Sequence, residues 1–344
     1  VQLAAEGVYP LILPELTSHA WPSAATYAVV IDRRVHALWY RRLRSLLPPH
    51  VLMIRTGTEA TKRFRSLEAI LSFFMEQQLP RDSVVIGIGG GAHTDAVGLA
   101  AALYKRGLRT VWLPTTILAM VDAAVGGKTA VNFRHIKNIV GTYHFPEQVV
   151  IVPDFIETLP SRQRLSGLGE MLKHALIEGE TLWADFLEGR IHPAMPPEEW
   201  RPVLGRAAAV KVEVVQQDPY EKSLRKVLNA GHTIGHAIEG YLAAHRKYIP
   251  HGIAVAWGLL WESRLSHHIG RMARANLASI ETVIARLFPP FPAAIALSDL
   301  LPWMRHDKKN RQAAVGFTLI ERPGKIDPDV LIPPEELGDL LGRL

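Results

Sequence analysis

The apolar residues change their period near residue 160, and that change limits the fold more than any other feature of this sequence. Before it, short β-branched runs (YAVVI, VLMIR, VVIGIG, TVWLP and VVIVP) alternate with helical stretches such as FRSLEAILSFFMEQ and TDAVGLAAALYKRG. Such alternation predicts an α/β domain with a largely parallel sheet. After Pro160 the β-rich runs nearly vanish. Helical periodicity takes over in RLSGLGEMLKHALIEG, WRPVLGRAAAVKVEVVQQ, SLRKVLNAGHTIGHAIEGYLAA and IAVAWGLLWESRLSHHIG, with one late β-like run, AVGFTLI. Prolines in PAMPPEEW and FPPFP mark loops between helices. At 344 residues there is chain enough for two cores. The expectation is two domains, 1–160 and 161–344, with a site in the cleft between them.

Several function classes drop out early. The chain has no cysteine, so disulfides and thiol catalysis are excluded, a reducing compartment is fitting, and any metal must be held by His and carboxylates. No run of about 18 consecutive apolar residues occurs, so no membrane-spanning helix is expected. The segment VQLAAEGVYPLILPEL lacks a basic start leading into an unbroken apolar run and does not read as a signal peptide. A soluble, cytoplasmic protein is expected. The formal charge of +6 calls for an anionic partner. Nucleic acid is not that partner, because no run of Lys and Arg interleaved with aromatics and no recognition-helix pattern stands out. Basic residues recur singly beside Gly, Thr, Asp and His, as at Lys128, Lys137, Lys173 and Lys211, which favours a small acidic or phosphorylated substrate.

VVIGIGGGAHTD runs from an apolar strand through Gly89, Gly90 and Gly91 into a helix. Glycines there allow close backbone approach, and a helix N-terminus offers free N–H groups to phosphate. The turn alone leaves nucleotide binding and a plain tight turn both open. Gly126-Gly127-Lys128-Thr129 resembles the end of a P-loop, but Asp122 stands where that pattern requires Gly. What remains is a Lys on a flexible turn near Asp122, Thr115 and Thr116, able to bind a polyhydroxylated anion or simply solvated. Farther on, His232 and His236 are four apart. With Arg225 and Asn229 they form a narrow polar stripe on an otherwise apolar helix, the mark of a cavity lining. Thr233 replaces the Glu a zinc protease would carry there. Glu170, Lys173 and His174 share one side of another helix, and His251 precedes a third. A carboxylate and two imidazoles suit Zn²⁺ with a position left open. Spacing does not choose among His174, His232, His236 and His251.

GIGGGAHTD, LPTTILAMVDAAVGGKTAVN, KNIVGTY, GEMLKHALI, LRKVLNAGHTIGHAIE, HGIAVAWGL and MRHDKKN occur in the order found in 3-dehydroquinate synthases, and from about Asp32 to Gly316 the chain resembles that family. The resemblance implies a Rossmann-like N-terminal domain that binds NAD and a mostly α-helical C-terminal domain that binds one divalent metal, Zn or Co. It implies closure of 3-deoxy-D-arabino-heptulosonate 7-phosphate to 3-dehydroquinate with release of phosphate, the second step of the shikimate pathway leading to chorismate and the aromatic amino acids. The cycle is redox-neutral: oxidation at C5, phosphate elimination, reduction, ring opening and aldol closure. A homodimer is implied too.

Carried over by motif, the metal ligands fall on Glu170, His232 and His251. NAD contacts fall on Asp32, Gly57, Glu59, Lys62, the turn Gly89, Gly90, Gly91, Ala92, His93, Thr94 and Asp95, then Thr115, Thr116, Phe155 and Thr158. Asp122, Lys128, Lys137 and Asn138 sit where cofactor and substrate meet. Substrate and catalytic roles fall on Arg106, Asp122, Lys128, Lys173, Lys211, Arg225, Asn229, His236 and Lys308. The chain departs from the family pattern at Ala92–Asp95, at Ile253 where Glu is frequent, and at Gln163, and none of these departures replaces a metal ligand. The competing readings are a sibling cyclase of aminocyclitol or valiolone type and a metal-dependent alcohol dehydrogenase, which would accumulate NADH.

Overall fold

The computed structural model describes residues 11–12, 21–59, 62–134, 136–304 and 314–343. They form two compact units, Val1–Leu159 with Pro196–Gln216, and Pro160–Met195 with Gln217–Leu344.

The first unit is built on a parallel sheet whose strand order is β1-β8-β5-β4-β2-β3. The strands are β1 (Leu11–Ile12), β2 (Tyr27–Asp32), β3 (His50–Arg55), β4 (Val84–Gly89), β5 (Arg109–Pro114) and β8 (Gln148–Ile151). Val29, Val30 and Ile31 on β2 and Val84 to Ile86 on β4 are fully buried. That is why both strands read as unbroken apolar runs: a parallel sheet covered on both faces has no polar side. Helices α1 (Arg33–Leu43), α2 (Phe64–Glu76) and α3 (Gly91–Leu103) follow β2, β3 and β4. The chain leaves β2 toward β3 on one side and returns to β4 on the other. The order therefore reverses between β2 and β4, and the crevice at such a reversal, beyond the strands' carboxyl ends, is where open α/β sheets bind nucleotides.

Lys128 does not lie in a loop. It opens β6 (Lys128–Phe133), which pairs antiparallel with β7 (Ile136–Tyr143). The hairpin escaped the sequence because its many polar residues lack the apolar density of the sheet strands. Helix α6 (Pro197–Gln217) belongs with the first unit although it comes late in the chain. Trp200 and Leu204 on its inner face are fully buried, and Gly205 lies close enough to Ile12 that a Cβ there would meet Ile12 Cδ1 at 3.1 Å.

The second unit holds α4 (Ser161–Glu178), α5 (Thr181–Leu187), α7 (His232–Ala244), α8 (His251–His268), α9 (Arg274–Leu287), α10 (Leu301–Met304) and α11 (Pro334–Arg343), with an antiparallel pair β9 (Val315–Arg322) and β10 (Lys325–Ile332). Helix α8 is buried along most of its circumference and packs on α4, α7, α9 and β9. The single helix expected around Arg225, Asn229, His232 and His236 is broken. Leu224–Asn229 form a 3₁₀ turn, Gly231 takes φ +76°, and α7 begins only at His232. Glycine suits the break twice: it takes that φ without penalty, and a Cβ there would meet Leu259 Cγ at 2.7 Å and Val255 O at 2.9 Å on α8.

Candidate active site

In the second unit three helices bring Glu170, His232 and His251 together. Two close crossings set the arrangement. Where α4 meets α8, a Cβ on Gly252 would lie 1.7 Å from Ser166 O, and one on Gly169 would lie 1.9 Å from Gly252 O. Each glycine adjoins a candidate ligand in sequence, so the backbone contact carries the Glu170 carboxylate to the His251 ring. Where α7 meets α8, a Cβ on Gly258 would lie 1.9 Å from Gly231 O, which holds the start of α7, and with it His232, against the same helix.

His251 Nε2 lies 3.1 Å and His232 Nε2 3.5 Å from Glu170 Oε1. Both Nδ1 atoms donate elsewhere, His232 to Ala230 O at 3.0 Å and His251 to Glu239 Oε2 at 2.9 Å. The His232 ring, whose pKa burial lowers, is neutral with its proton on Nδ1 and turns a lone pair at Nε2 toward the carboxylate, acceptor against acceptor. Glu170 is fully buried, with Oε2 on the Lys173 ammonium at 2.7 Å and Oε1 turned to the two imidazoles. A divalent cation resolves the conflict. Tetrahedral ligands held at about 2.0–2.1 Å from zinc stand roughly 3.3 Å apart, and the two separations bracket that value. Metal-bound histidines also tie their second nitrogen to a carboxylate or carbonyl, as both do here. The residues fit a divalent cation.

Burial alone would raise the pKa of Glu170, but the Lys173 ammonium 2.7 Å from Oε2 and the imidazoles hold it well below the usual carboxylate range. Burial pushes His251 down, yet Glu239 and Glu170 overcome this and raise it to about 10. At His232 burial wins over Glu170, and its pKa is lowered. Metal-free protein therefore keeps a proton on His251 at neutral pH, and an incoming cation must expel it. Co²⁺ affinity is expected to rise about ten-fold per unit between about pH 7 and 8.5, with one proton released per ion, as measured by titration calorimetry in two buffers. The sign for stability differs between the two groups. The raised His251 stabilises the metal-free fold below 6.5 and loses that contribution as pH climbs through about 10, whereas the lowered Glu170 contributes above 4.5 and loses it in acid.

His236 is exposed, its ring 5.2 Å from that of His232 and 5.7 Å from that of His251. Nitrogens of the three imidazoles fall within 4.8 Å of one another, so an all-histidine set is geometrically open. The buried carboxylate favours the set with Glu170. His174 is fully buried on α4. Arg225, also buried, donates Nη1 to Pro219 O, and its backbone N–H joins those of Lys222 and Ser223 on the Asp218 carboxylate. Asn229 Nδ2 donates to Glu221 Oε1 at 2.9 Å. Asp218, Glu221, Glu239 and Glu262, absent from the sequence expectation, build this neighbourhood. Lys308 lies outside the described residues.

In the first unit the dinucleotide candidates gather at the reversal between β2 and β4. Asp32 ends β2; Oδ1 caps α1 through Arg34 N and Val35 N, while Oδ2 accepts Gly57 N at 2.7 Å. Gly90 opens α3 with no side-chain cap, leaving the first-turn N–H groups of Gly91 and Ala92 outside the helix's own ladder. The glycines' missing side chains, however, make room for protein. A Cβ on Gly89 would meet His93 Cγ at 2.7 Å, and one on Gly91 would meet Ala123 Cβ at 2.7 Å. The His93 side chain is a core group: Nε2 donates to Val30 O at 2.9 Å and burial lowers its pKa.

Around the turn, Lys62 pairs with Asp95, whose pKa burial raises against the pull of that lysine. Thr94 Oγ1 donates to Gly91 O, Thr115 N to Gly89 O, and Thr116 Oγ1 accepts Ala119 N. Glu59 Oε1 accepts Asn132 Nδ2 at 2.8 Å, and Asn132 Oδ1 accepts Asn138 N at 2.9 Å, which fastens the β6–β7 hairpin to this end of the sheet. Lys211 on α6 donates to both Asp122 O and Oδ1, at 2.7 and 2.8 Å. Lys128 and Lys137 are exposed on the hairpin. Phe155 and Thr158 instead pack beneath α1, the ring edge-on to Trp39 and Thr158 Oγ1 accepting Trp39 Nε1 at 2.8 Å. Arg106 stands past the C-terminus of α3, about 20 Å along that helix from the glycine turn, and is not gathered with the others. The crevice at the β2/β4 reversal, with uncapped α3 facing it, fits a dinucleotide.

The 3-dehydroquinate synthase N-terminal family model matches residues 52–166 and the C-terminal model residues 167–310. The chain belongs to the 3-dehydroquinate synthase family. The 3-dehydroquinate synthase of Alkaliphilus metalliredigens is 35% identical over 96% of this chain and 93% of its own length. Among solved structures, 2-epi-5-epi-valiolone synthase from Streptomyces hygroscopicus, with NAD⁺ and Zn²⁺ bound, superposes with a TM-score of 0.85 at 28% identity, covering 97% of this chain and 95% of that one. A 2-deoxy-scyllo-inosose synthase complexed with carbaglucose-6-phosphate, NAD⁺ and Co²⁺ reaches 0.82 at 23% identity over 92% and 90% of the two chains, which shows the shared fold. Membership in the 3-dehydroquinate synthase family thus rests on both halves of the chain. No helix among the described residues is long and apolar enough to cross a membrane.

Proposed function

We propose that the chain converts 3-deoxy-D-arabino-heptulosonate 7-phosphate to 3-dehydroquinate and phosphate. The observation that carries this is the meeting of Glu170, His232 and His251, with both Nδ1 protons directed away, in a chain of this family. When bound, NAD supplies a hydride acceptor that gives the hydride back within the turnover, and a Zn or Co ion supplies a Lewis acid. The chain's own side chains do the rest. Lys173, Lys211 and Arg225 offset the substrate's phosphate and carboxylate charges, Arg225 with a fork that suits two oxygens at once. Lys128, exposed at the start of β6, adds a further cation. Asn229, held by Glu221, orients hydroxyls, and His236 moves protons at its exposed ring. Asp32, the first turn of α3 and the Lys62–Asp95 pair hold the dinucleotide. The family resemblance adds a homodimer and a cytoplasmic location, with neither nucleic acid nor membrane as partner.

The test is phosphate release from the heptulosonate phosphate with and without chelator, with NADH followed in parallel. Phosphate and 3-dehydroquinate in equal amounts, no net NADH, and loss of turnover on chelation are expected. Net NADH would mark a dehydrogenase, and release only from a different sugar phosphate would mark a sibling cyclase. A separate expectation concerns Lys173, a charge beside the ligand and not a ligand. Lys173→Met should cut kcat by about 10²–10³ with one metal ion per chain retained by elemental analysis.

A further inference from the structure

Helix α8 supplies one imidazole itself, through His251, and grips the turn that supplies the other. The grip is Glu262, three turns beyond His251 and 1% exposed. A carboxylate buried that deeply needs partners, and both of its oxygens find them on a single turn of α7. Oε2 accepts Gly231 N–H at 2.7 Å, and Oε1 accepts Ile234 N–H at 3.0 Å. These two N–H groups flank His232. The His232 ring is tied into the same turn, its Nδ1 donating to Ala230 O at 3.0 Å. The direction of Nε2 is thus set by the backbone from 230 to 234, and Glu262 fixes that backbone to the helix bearing the other imidazole.

The start of α7 needs such help from outside. A helix N-terminus leaves donors unsatisfied, and a Ser, Thr or Asp just before it usually accepts one of them. Here the preceding residue is Gly231, with no side chain, in a left-handed conformation and pressed on Val255 and Leu259. An ordinary cap has no room there, so the cap comes across the helix interface.

We propose that Glu262 is a positioning residue for the metal centre, holding His232 Nε2 at the angle and distance that a cation shared with Glu170 and His251 requires. The proposal rests on the ligand set assigned above. Its test uses full-length protein stripped of metal and titrated with Co²⁺, reading affinity and the visible absorption of the bound ion. Glu262→Gln is expected to weaken Co²⁺ binding ten- to about a hundred-fold, as loss of an outer partner does elsewhere, and to alter the absorption bands. Ser266→Ala, on the same helix, removes a buried bond to Ile320 O of 2.6 Å. It should lower Tm and leave Co²⁺ affinity and bands unchanged. If Glu262→Gln does not fold, Glu262→Asp decides by the same readings; its shorter side chain reaches one N–H of the two and should give a smaller loss. Co²⁺ affinity within about two-fold of wild type with the same bands, whatever the change in Tm, would reduce Glu262 to a plain helix cap and overturn the proposal. Wild-type protein that takes up no Co²⁺, or His232→Ala that binds it normally, would instead overturn the ligand set.

Discussion

Gly252→Ala should empty the metal site and lower kcat/KM by at least about 10³, although residue 252 carries no chemistry. The added Cβ would lie 1.7 Å from Ser166 O, a backbone atom that no rotamer change can move aside. To relieve the overlap α4 and α8 must part by roughly 1.5 Å, at a cost of about 1–3 kcal/mol or more. Metal sites tolerate ligand displacements of only about 0.2 Å. Glu170, next to Gly169 at the crossing, would be drawn away from His251, and the cation would lose its shared ligands. Elemental analysis, thermal unfolding and turnover on one preparation check all three consequences. Gly338→Ala is the matched control. Its Cβ would meet nothing nearer than Leu301 Cδ2 at 3.9 Å, and alanine within a helix adds about 0.5–1 kcal/mol of stability. Metal content and turnover should be unchanged there.

The second large effect is expected at Glu170. Glu170→Gln keeps the shape and removes the charge. The Lys173 ammonium, 2% exposed and 2.7 Å from Oε2, then faces an amide, with the His251 imidazole close by as another cation. Removing one member of a buried ion pair costs about 3–5 kcal/mol. Metal-free Glu170→Gln should therefore unfold at clearly lower denaturant than metal-free wild type, by about that amount of free energy, and metal should not restore the difference. Turnover should fall by at least about 10³, since the amide donates at most weakly to a divalent cation. A variant as stable as wild type would mean that Lys173 draws its compensation from elsewhere.

The sheet was legible in the sequence because burial on both faces leaves β2 and β4 no polar positions. The hairpin β6–β7 was not. Asn132 and Asn138 serve there to tie the hairpin to Glu59, and a strand with so many polar residues does not stand out. The break at Gly231 was hidden for a different reason: periodicity runs through Arg225, Asn229, His232 and His236 without a gap, and the close approach of α8 that leaves room there only for glycine is a tertiary contact. Motif resemblance singled out Glu170, His232 and His251, which no spacing argument could select, and the structure brings these three side chains together. Of the other residues it singled out, His93 has its ring in the space left by Gly57 and Gly89, and Phe155 and Thr158 pack on Trp39. A shared motif marks residues that are needed, and a core contact is needed as much as a ligand contact. Glu262 left one faint signal: an acid in the middle of IAVAWGLLWESRLS, where a helix buried nearly all round should carry none without a partner.

Anomalous diffraction at the cobalt edge, from crystals of stripped protein soaked in Co²⁺, tests the convergence of the three helices most directly. The expected result is a single strong peak in each chain, about 2.0–2.2 Å from Glu170 Oε1, His232 Nε2 and His251 Nε2. A peak held by the three imidazoles with Glu170 left on Lys173, or no peak at these residues, would contradict it.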